Sequence, residues 1–299
     1  MNYVSIGFDG LSTAGKSTLV GMLHLRAPYS DVVSENQMDP LRPVTSRLNR
    51  LFKEKSYKDA VEEAKTEYAG TVVDGDTYTV AAQITDADEY AVQELKFKDE
   101  KCMKQAALAY MFAAGRARVN NRIDRRKNLI LDRWVATGCA YQAYDGETES
   151  YPWDEILNLN EEMGISLPDV QLLVTCPVDE IPARRSYRQK EGRGTAGQMS
   201  AGREDEIYRQ FMKMKPRLES MPFLHVVNAG IPCEDPSQQL RQAIPSYLKV
   251  ESFLRDLTAT GKVPSSLLSG ETLTLPQAEE FFLDGENMEK IRARQIGKV

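Results

Sequence analysis

Gly10-Leu11-Ser12-Thr13-Ala14-Gly15-Lys16-Ser17, followed by Thr18, decides how this chain is read. It is a complete G-x-x-x-x-G-K-[ST] pattern. The apolar run Tyr3 to Phe8 precedes it, and Leu19, Met22 and Leu23 follow at helical spacing. Strand, glycine-rich turn and helix, in that order, are the context in which the pattern cradles phosphate. The glycines let the backbone curl until successive N–H groups point at one anion, and the helix N-terminus adds its partial positive charge. Lys16 brings a mobile charge for the β- and γ-phosphates, and Ser17 a hydroxyl small enough to ligate Mg2+. A nucleoside triphosphate with magnesium is the implied ligand, held by Gly10 through Thr18.

Working outward, four more short runs rich in Val, Ile and Leu recur at wide spacing: Asp31 to Ser34, Asn128 to Asp132, Val170 to Cys176 and Phe223 to Val227. Helical periodicity fills Lys16 to Leu25, Val44 to Lys65, Asp99 to Lys127, Asp154 to Met163, Asp179 to Gln189 and Glu204 to Glu219. Buried parallel strands alternating with helices predict an α/β, three-layer P-loop NTPase fold with a five-stranded parallel sheet. Two regions depart from it. In the stretch 66–100, Thr71-Val72-Val73 and Tyr78-Thr79-Val80 flank Asp74-Gly75, which predicts a β-hairpin insertion. Beyond Leu248 the chain turns polar and loop-like, then resumes as a charged helical stretch from Pro276 to Gln295. The expected organisation is a P-loop domain over 1–248 and a C-terminal extension over 249–299.

Composition narrows the setting. With 41% hydrophobic and 27% charged residues in 299, the chain has the makeup of a globular protein with a sizeable core. Acidic residues outnumber basic ones by 44 to 38, a net charge of −6, which argues against polymeric nucleic acid as a partner. Apolar runs fall far below the ~20 residues that cross a bilayer, and Met1 leads into a strand without a basic leader segment. Cys102, Cys139, Cys176 and Cys233 lie far apart with no C-x-x-C pair, which suits reduced thiols and no structural zinc. A cytoplasmic protein is the expectation.

A phosphate loop alone does not separate kinases from ATPases, switches or motors. No N-K-x-D base-reading motif occurs. Leu129-Ile130-Leu131-Asp132-Arg133 is an apolar strand ending in Asp-Arg, which puts an acid at the ligand-binding edge of a parallel sheet, able to hold Mg2+ through water. Arg133 beside it either grips a second phosphate or is a solvated cation. Phe112 and Arg116, four apart on one helical face, suit a ring stacked on a base and a guanidinium on a phosphate. Read alone, they suit a core aromatic beside a surface arginine better. Arg184, Arg188 and Arg203 border a glycine-rich stretch that reads either as a lid closing over a transferring phosphoryl group or as a basic mobile loop.

Taken in order, these pieces resemble the thymidylate kinase family of the nucleoside monophosphate kinase group. The matching residues are Phe8-Asp9-Gly10-Leu11 into Ala14-Gly15-Lys16-Ser17-Thr18, then Met111 through Arg116, Asp132-Arg133 with Ala140-Tyr141-Gln142, Pro168-Asp169, Arg184, Arg188 and Arg203-Glu204. The resemblance covers roughly residues 1 to 248, the insertion excepted. It implies ATP as donor and a pyrimidine deoxynucleoside monophosphate as acceptor, with Phe112 on the pyrimidine, Arg116 and Arg133 on the acceptor phosphate and Gln142 near base and sugar. Lys16, Asp132 and the arginines at 184, 188 and 203 would serve the transferred phosphoryl, with Ser17 and Asp132 on Mg2+; a homodimer is also implied. Ser12 stands where the family usually carries an acid, and Glu35-Asn36-Gln37-Met38-Asp39-Pro40 replaces its basic-acidic-Pro-Gly-Gly stretch. Two alternatives follow. One is a deoxynucleoside kinase with Glu35 as base near the 5′-hydroxyl; the other is a nucleotide-dependent binding protein without transfer.

Overall fold

The computed structural model describes residues 3–34, 38–73, 78–93, 99–143, 151–190, 201–228 and 235–295. In chain order these form β1 (Ser5–Gly10), α1 (Lys16–Arg26), β2 (Ser30–Ser34), α2 (Arg42–Glu54), α3 (Tyr57–Glu67), α4 (Val80–Gln93), α5 (Glu100–Arg122), β3 (Asn128–Asp132) and α6 (Val135–Gln142). There follow α7 (Trp153–Glu162), β4 (Val170–Thr175), a 3-10 turn at Val178–Glu180, α8 (Ile181–Lys190), α9 (Ala201–Leu218), β5 (Phe223–Val227), α10 (Pro236–Ala259), α11 (Leu275–Phe282) and α12 (Gly285–Gln295). The chain divides into two compact units, one of residues 1–33, 124–134 and 167–299, the other of 34–123 and 135–166.

The first unit is built on a five-stranded sheet in the order β2-β3-β1-β4-β5. The β1 strand runs parallel to β3 and β4, and β4 parallel to β5. Every residue of β4 is buried, and β1 is buried from Ile6 onward, which is why both read as mainly apolar runs. Pairing sets Phe8 opposite Asp132 and Gly10 opposite Val174. The phosphate loop therefore leaves the sheet at its carboxyl edge, level with Asp132. Gly10, at φ 137°, permits this exit: a Cβ there would lie 1.9 Å from the Val174 carbonyl oxygen. A polar pair joins β1 and β4 inside the sheet. The Gln171 amide of β4 donates to Asp9 Oδ2 at 3.1 Å, satisfying part of a fully buried carboxylate.

The second unit is helical, from α2 to α7. One helix was expected over Val44 to Lys65. The structure breaks it after Glu54, where the Ser56 hydroxyl accepts the Asp59 N–H and starts α3 as an N-cap. The expected hairpin is present in shortened form. Val72 and Thr79 form a single antiparallel bridge, and Val80 opens α4 instead of continuing a strand. Buried Val80, Gln83, Ile84, Ala87 and Ala91 recur at helical spacing, so burial of that face prevails over the β-branched residues at its start.

The C-terminal stretch belongs to the first unit. The boundary expected at 248/249 falls inside α10. Tyr247 of α10 meets Phe282 of α11 edge to face at 4.8 Å. Arg26, at the end of α1, pairs at 3.2 Å with the fully buried Glu251, which Arg255 also grips at 2.8 Å. Ile291 of α12 is fully buried against Gly21 of α1, its Cγ2 only 3.3 Å from where a Cβ on that glycine would stand. Cys102, Cys139 and Cys176 are buried and form no disulfide, and Cys233 lies outside the described residues. Burial pushes the Cys102 and Cys176 thiols up from their ordinary pKa, away from the reactive thiolate. Among the described residues no helix is long and apolar enough to cross a membrane.

Candidate active site

In the first unit the loop Gly10 to Gly15 ends where Gly15, in the left-handed conformation at φ 81°, takes the N-cap position of α1. No side chain caps that helix and no acid occupies its first turn. An uncapped N-terminus with its amides turned to a glycine-rich loop is a place for an anion. Lys16 lies in the first turn with its Nζ donating to the Gly10 carbonyl at 3.0 Å and to the Leu11 carbonyl. The Leu11 N–H is held by the Val174 carbonyl at 3.2 Å, and the Ala14 N–H by the Leu11 carbonyl at 3.3 Å.

Ser17 and Asp132 come together: the serine hydroxyl lies 3.4 Å from Asp132 Oδ2. The other carboxylate oxygen, Oδ1, is buried and has no hydrogen-bond partner. A hydroxyl, a carboxylate and an orphaned buried oxygen make a hard donor set of the kind Mg2+ takes when it keeps most of its waters, so the residues fit that ion. Arg133 follows in a left-handed backbone at φ 63°, uncommon for a residue with a Cβ. Three contacts fix the turn. Its N–H donates to the Phe8 carbonyl at 3.0 Å, the Trp134 N–H donates to Asp9 Oδ1 at 2.9 Å, and the Arg133 guanidinium reaches back to the Ser12 carbonyl at 3.4 Å. The strained turn thus lays a second cation along the phosphate loop.

Arg184, expected on a lid, has its guanidinium buried beside the loop at 5% exposure. It donates to the Thr13 carbonyl at 3.2 Å, to the Asn228 carbonyl at 2.7 Å and to Glu180 Oε2 at 2.7 Å and 3.1 Å. Asn228, just past β5, donates from Nδ2 to the Ala14 carbonyl at 2.9 Å. A Cβ on Gly15 would stand 2.3 Å from that same nitrogen. These braces were missed in the sequence. Asn228 has no motif of its own, although its place directly after the last strand was a usable signal, as was Asp9 within the quoted Phe8-Asp9-Gly10. The side chains of Arg188 on α8 and Arg203 on α9 lie outside the described residues.

In the second unit Phe112, Arg116 and Gln142 sit on α5 and α6. The Arg42 guanidinium covers the Phe112 ring with its carbon 4.6 Å from the centroid. Arg116 is 1% exposed, donates to Asn160 Oδ1 at 2.7 Å, and leaves so little room that a Cβ on Gly138 would fall 2.0 Å from its Nη2. Gln142 is buried and its Oε1 has no partner. Two residues given no role in the sequence reading complete this cluster. Asp39 accepts from Arg118 Nη2 at 3.0 Å, and Gln83 of α4 accepts from Arg118 Nη1 at 2.5 Å. Glu35 lies outside the described residues.

A search of curated protein sequences gave no match. Among solved structures, the thymidylate kinase from Candida albicans, whose report speaks of broad substrate specificity and a novel structural element, is 16% identical at a TM-score of 0.48, covering 91% of this chain and 97% of its own. The thymidylate kinase from Ehrlichia chaffeensis is 13% identical at a TM-score of 0.45, covering 85% of this chain and 100% of its own. The thymidylate kinase family model matches residues 85–227. That segment begins after the phosphate loop and after Glu35, and it takes in Phe112, Arg116, Asp132, Arg133, Gln142, Arg184, Arg188 and Arg203. The family that the ordered motifs resemble is the family whose model matches residues 85–227 of this chain.

Proposed function

We propose that the chain is a nucleotide kinase that moves the γ-phosphoryl of ATP onto a pyrimidine deoxynucleoside monophosphate, dTMP or a modified relative. The observation that carries this reading is the convergence of Lys16, Ser17, Asp132 and Arg133 on one uncapped helix N-terminus. A loop built only to hold a nucleotide has no need of a strained arginine laid along it. The family match over the acceptor-side motifs supports the same reading.

In the reaction an oxygen of the acceptor monophosphate bonds to the γ-phosphorus as the bond to the β,γ-bridging oxygen breaks, giving a diphosphate and ADP. That oxygen is already anionic near neutral pH, so no strong base is required. Ser17 and Asp132 would hold Mg2+, which neutralises the phosphate oxygens when bound. Lys16 turns from the carbonyls it now holds toward the β- and γ-phosphates. Arg184 acts through the loop it braces, while Arg188 and Arg203 meet the transferred group. Phe112 stacks on the pyrimidine, Gln142 faces base and sugar, and Arg116 and Arg133 hold the acceptor phosphate. The cytoplasm and a homodimer go with the same reading.

A coupled ADP-release screen with Mg-ATP tests it, set against thymidine, deoxyuridine and 5-substituted pyrimidine monophosphates with the matching nucleosides alongside. Turnover with a monophosphate is expected. Turnover only with nucleosides, abolished in Glu35→Gln, would transfer the assignment to a deoxynucleoside kinase, and ATP binding without ADP from any acceptor would leave a binding protein.

A further inference from the structure

Asp39, in the second unit, is 6% exposed and uses its two carboxylate oxygens unequally. Its Oδ1 accepts the Leu41 N–H at 3.1 Å and two bonds from Arg118, from Nε at 3.2 Å and from Nη2 at 3.0 Å. Gln83 holds the same guanidinium through Nη1. Three donors on one oxygen fix how the carboxylate lies. Among the described residues its Oδ2 makes no hydrogen bond. A glycine sets where that second oxygen rests: a Cβ on Gly115 would stand 2.5 Å from it. Gly115 follows Phe112 by three residues and precedes Arg116, so all three lie along one stripe of α5. The idle oxygen therefore rests against the helix between the aromatic ring and the guanidinium assigned to the acceptor.

We infer that Asp39 is a specificity-determining residue of the acceptor site, its Oδ2 accepting a hydrogen bond from the 3′-hydroxyl of the acceptor's deoxyribose. The inference rests on the acceptor reading proposed above. A nucleoside 5′-monophosphate carries its sugar between base and phosphate. Phe112 and Arg116 are about 6 Å apart along the helix axis, so a base on the first and a phosphate on the second bring the sugar to Gly115. A deoxynucleoside 5′-monophosphate keeps one hydroxyl, at C3′, and a hydroxyl is a donor. Its bond to a carboxylate is charge-assisted, and stronger than one between neutral groups. An acceptor without that hydroxyl leaves a largely buried anionic oxygen unpaired, which is how a site rejects a substrate lacking one polar group.

The test is calorimetric binding of dTMP, its 3′-deoxy analogue 2′,3′-dideoxythymidine monophosphate, and dCMP to the whole chain and to Asp39→Asn and Gly115→Ala. The parent is expected to bind dTMP about ten- to hundredfold more tightly than the 3′-deoxy analogue. Asp39→Asn keeps an oxygen for Arg118 and Leu41 but sets an amide N–H2 in place of Oδ2, and should bind the two nearly equally. Gly115→Ala leaves the carboxylate in the chain and displaces Oδ2 from the helix, so it should also lose the preference, and it serves if Asp39→Asn fails to fold. A preference that is absent in the parent, or that persists in both variants, overturns the inference. So does a change in the ratio of dTMP to dCMP binding in Asp39→Asn with the 3′-hydroxyl preference intact, since Asp39 would then read the base. If the parent binds none of the three monophosphates, the acceptor reading falls and the inference with it.

Discussion

The two compact units hold charge in opposite ways. Around the phosphate loop in the first unit, the anion site is made of backbone: the uncapped amides of α1, a loop whose Leu11 and Ala14 N–H groups are pinned, and carbonyls braced by Arg184 and Asn228. In the second unit, charge sits on buried side chains, with Arg116 against Asn160, Arg118 against Asp39 and Gln83, and Arg42 over Phe112. A site made of backbone works through geometry that only glycine allows, and it leaves glycines at fixed spacing in the sequence. A site made of guanidinium groups works through partners brought from distant positions, and it leaves no spacing to read. The first kind is sensitive to any change in loop conformation, the second to any change in the volume around one side chain.

The comparison is broken hardest at Lys16. Lys16→Ala should lower kcat by about a thousandfold in the ADP-release assay while leaving the melting temperature close to the parent value. Next comes Gly138→Ala, which puts a methyl group where Arg116 Nη2 now lies. It is expected to lower kcat/KM for the acceptor by about a hundredfold with the KM for ATP unchanged; an equal rise in both would show that the two charge clusters do not serve separate ligands. Asn228→Ala should raise the KM for ATP several-fold and cost about 1–2 kcal/mol in a denaturant titration, because the Ala14 carbonyl loses its donor.

The smallest effect sharpens the comparison by pH. Burial lowers the pKa of both imidazoles, His24 and His225, with Arg294 adding to the effect at His24 and Lys215 at His225. An imidazole harder to protonate in the folded chain takes up its proton on unfolding. Stability is therefore complete above the ordinary imidazole value of about 6.5 and declines as pH falls through it. A thermal melt series from pH 7.5 to 5.5 should show that decline, and His225→Gln should flatten part of it.

Much of the sheet was legible because buried parallel strands are mostly apolar, the paired Gln171 and Asp9 excepted. Asn128 to Asp132 and Phe223 to Val227 begin and end where the sequence pattern does, and Val170 to Cys176 runs one residue long. The antiparallel pairing of Val72 with Thr79 was legible because turn chemistry is local, whereas the helix α4 beyond it, which buries Ile84 and Ala87, was not. The tail misled because its charged sequence shows no partner, and the contact that docks it joins Ile291 to Gly21 across most of the chain. In the candidate site, Lys16 and Ser17 were legible from one motif. The brace formed by Asn228 and Arg184 was not, since carbonyl groups carry no signature of what will hold them.

The left-handed turn at Arg133 carries a consequence for how this protein tolerates change. A glycine at that position would adopt the same backbone without steric conflict, and Arg133→Gly should make the folded chain about 1 kcal/mol easier to keep in that turn, less the flexibility it adds to the unfolded chain. The same exchange removes the guanidinium that lies along the loop. If Arg133 holds the acceptor phosphate as proposed, screens for thermal robustness would favour a variant that has lost that contact, and the arginine would mark a position where durability and activity pull in opposite directions.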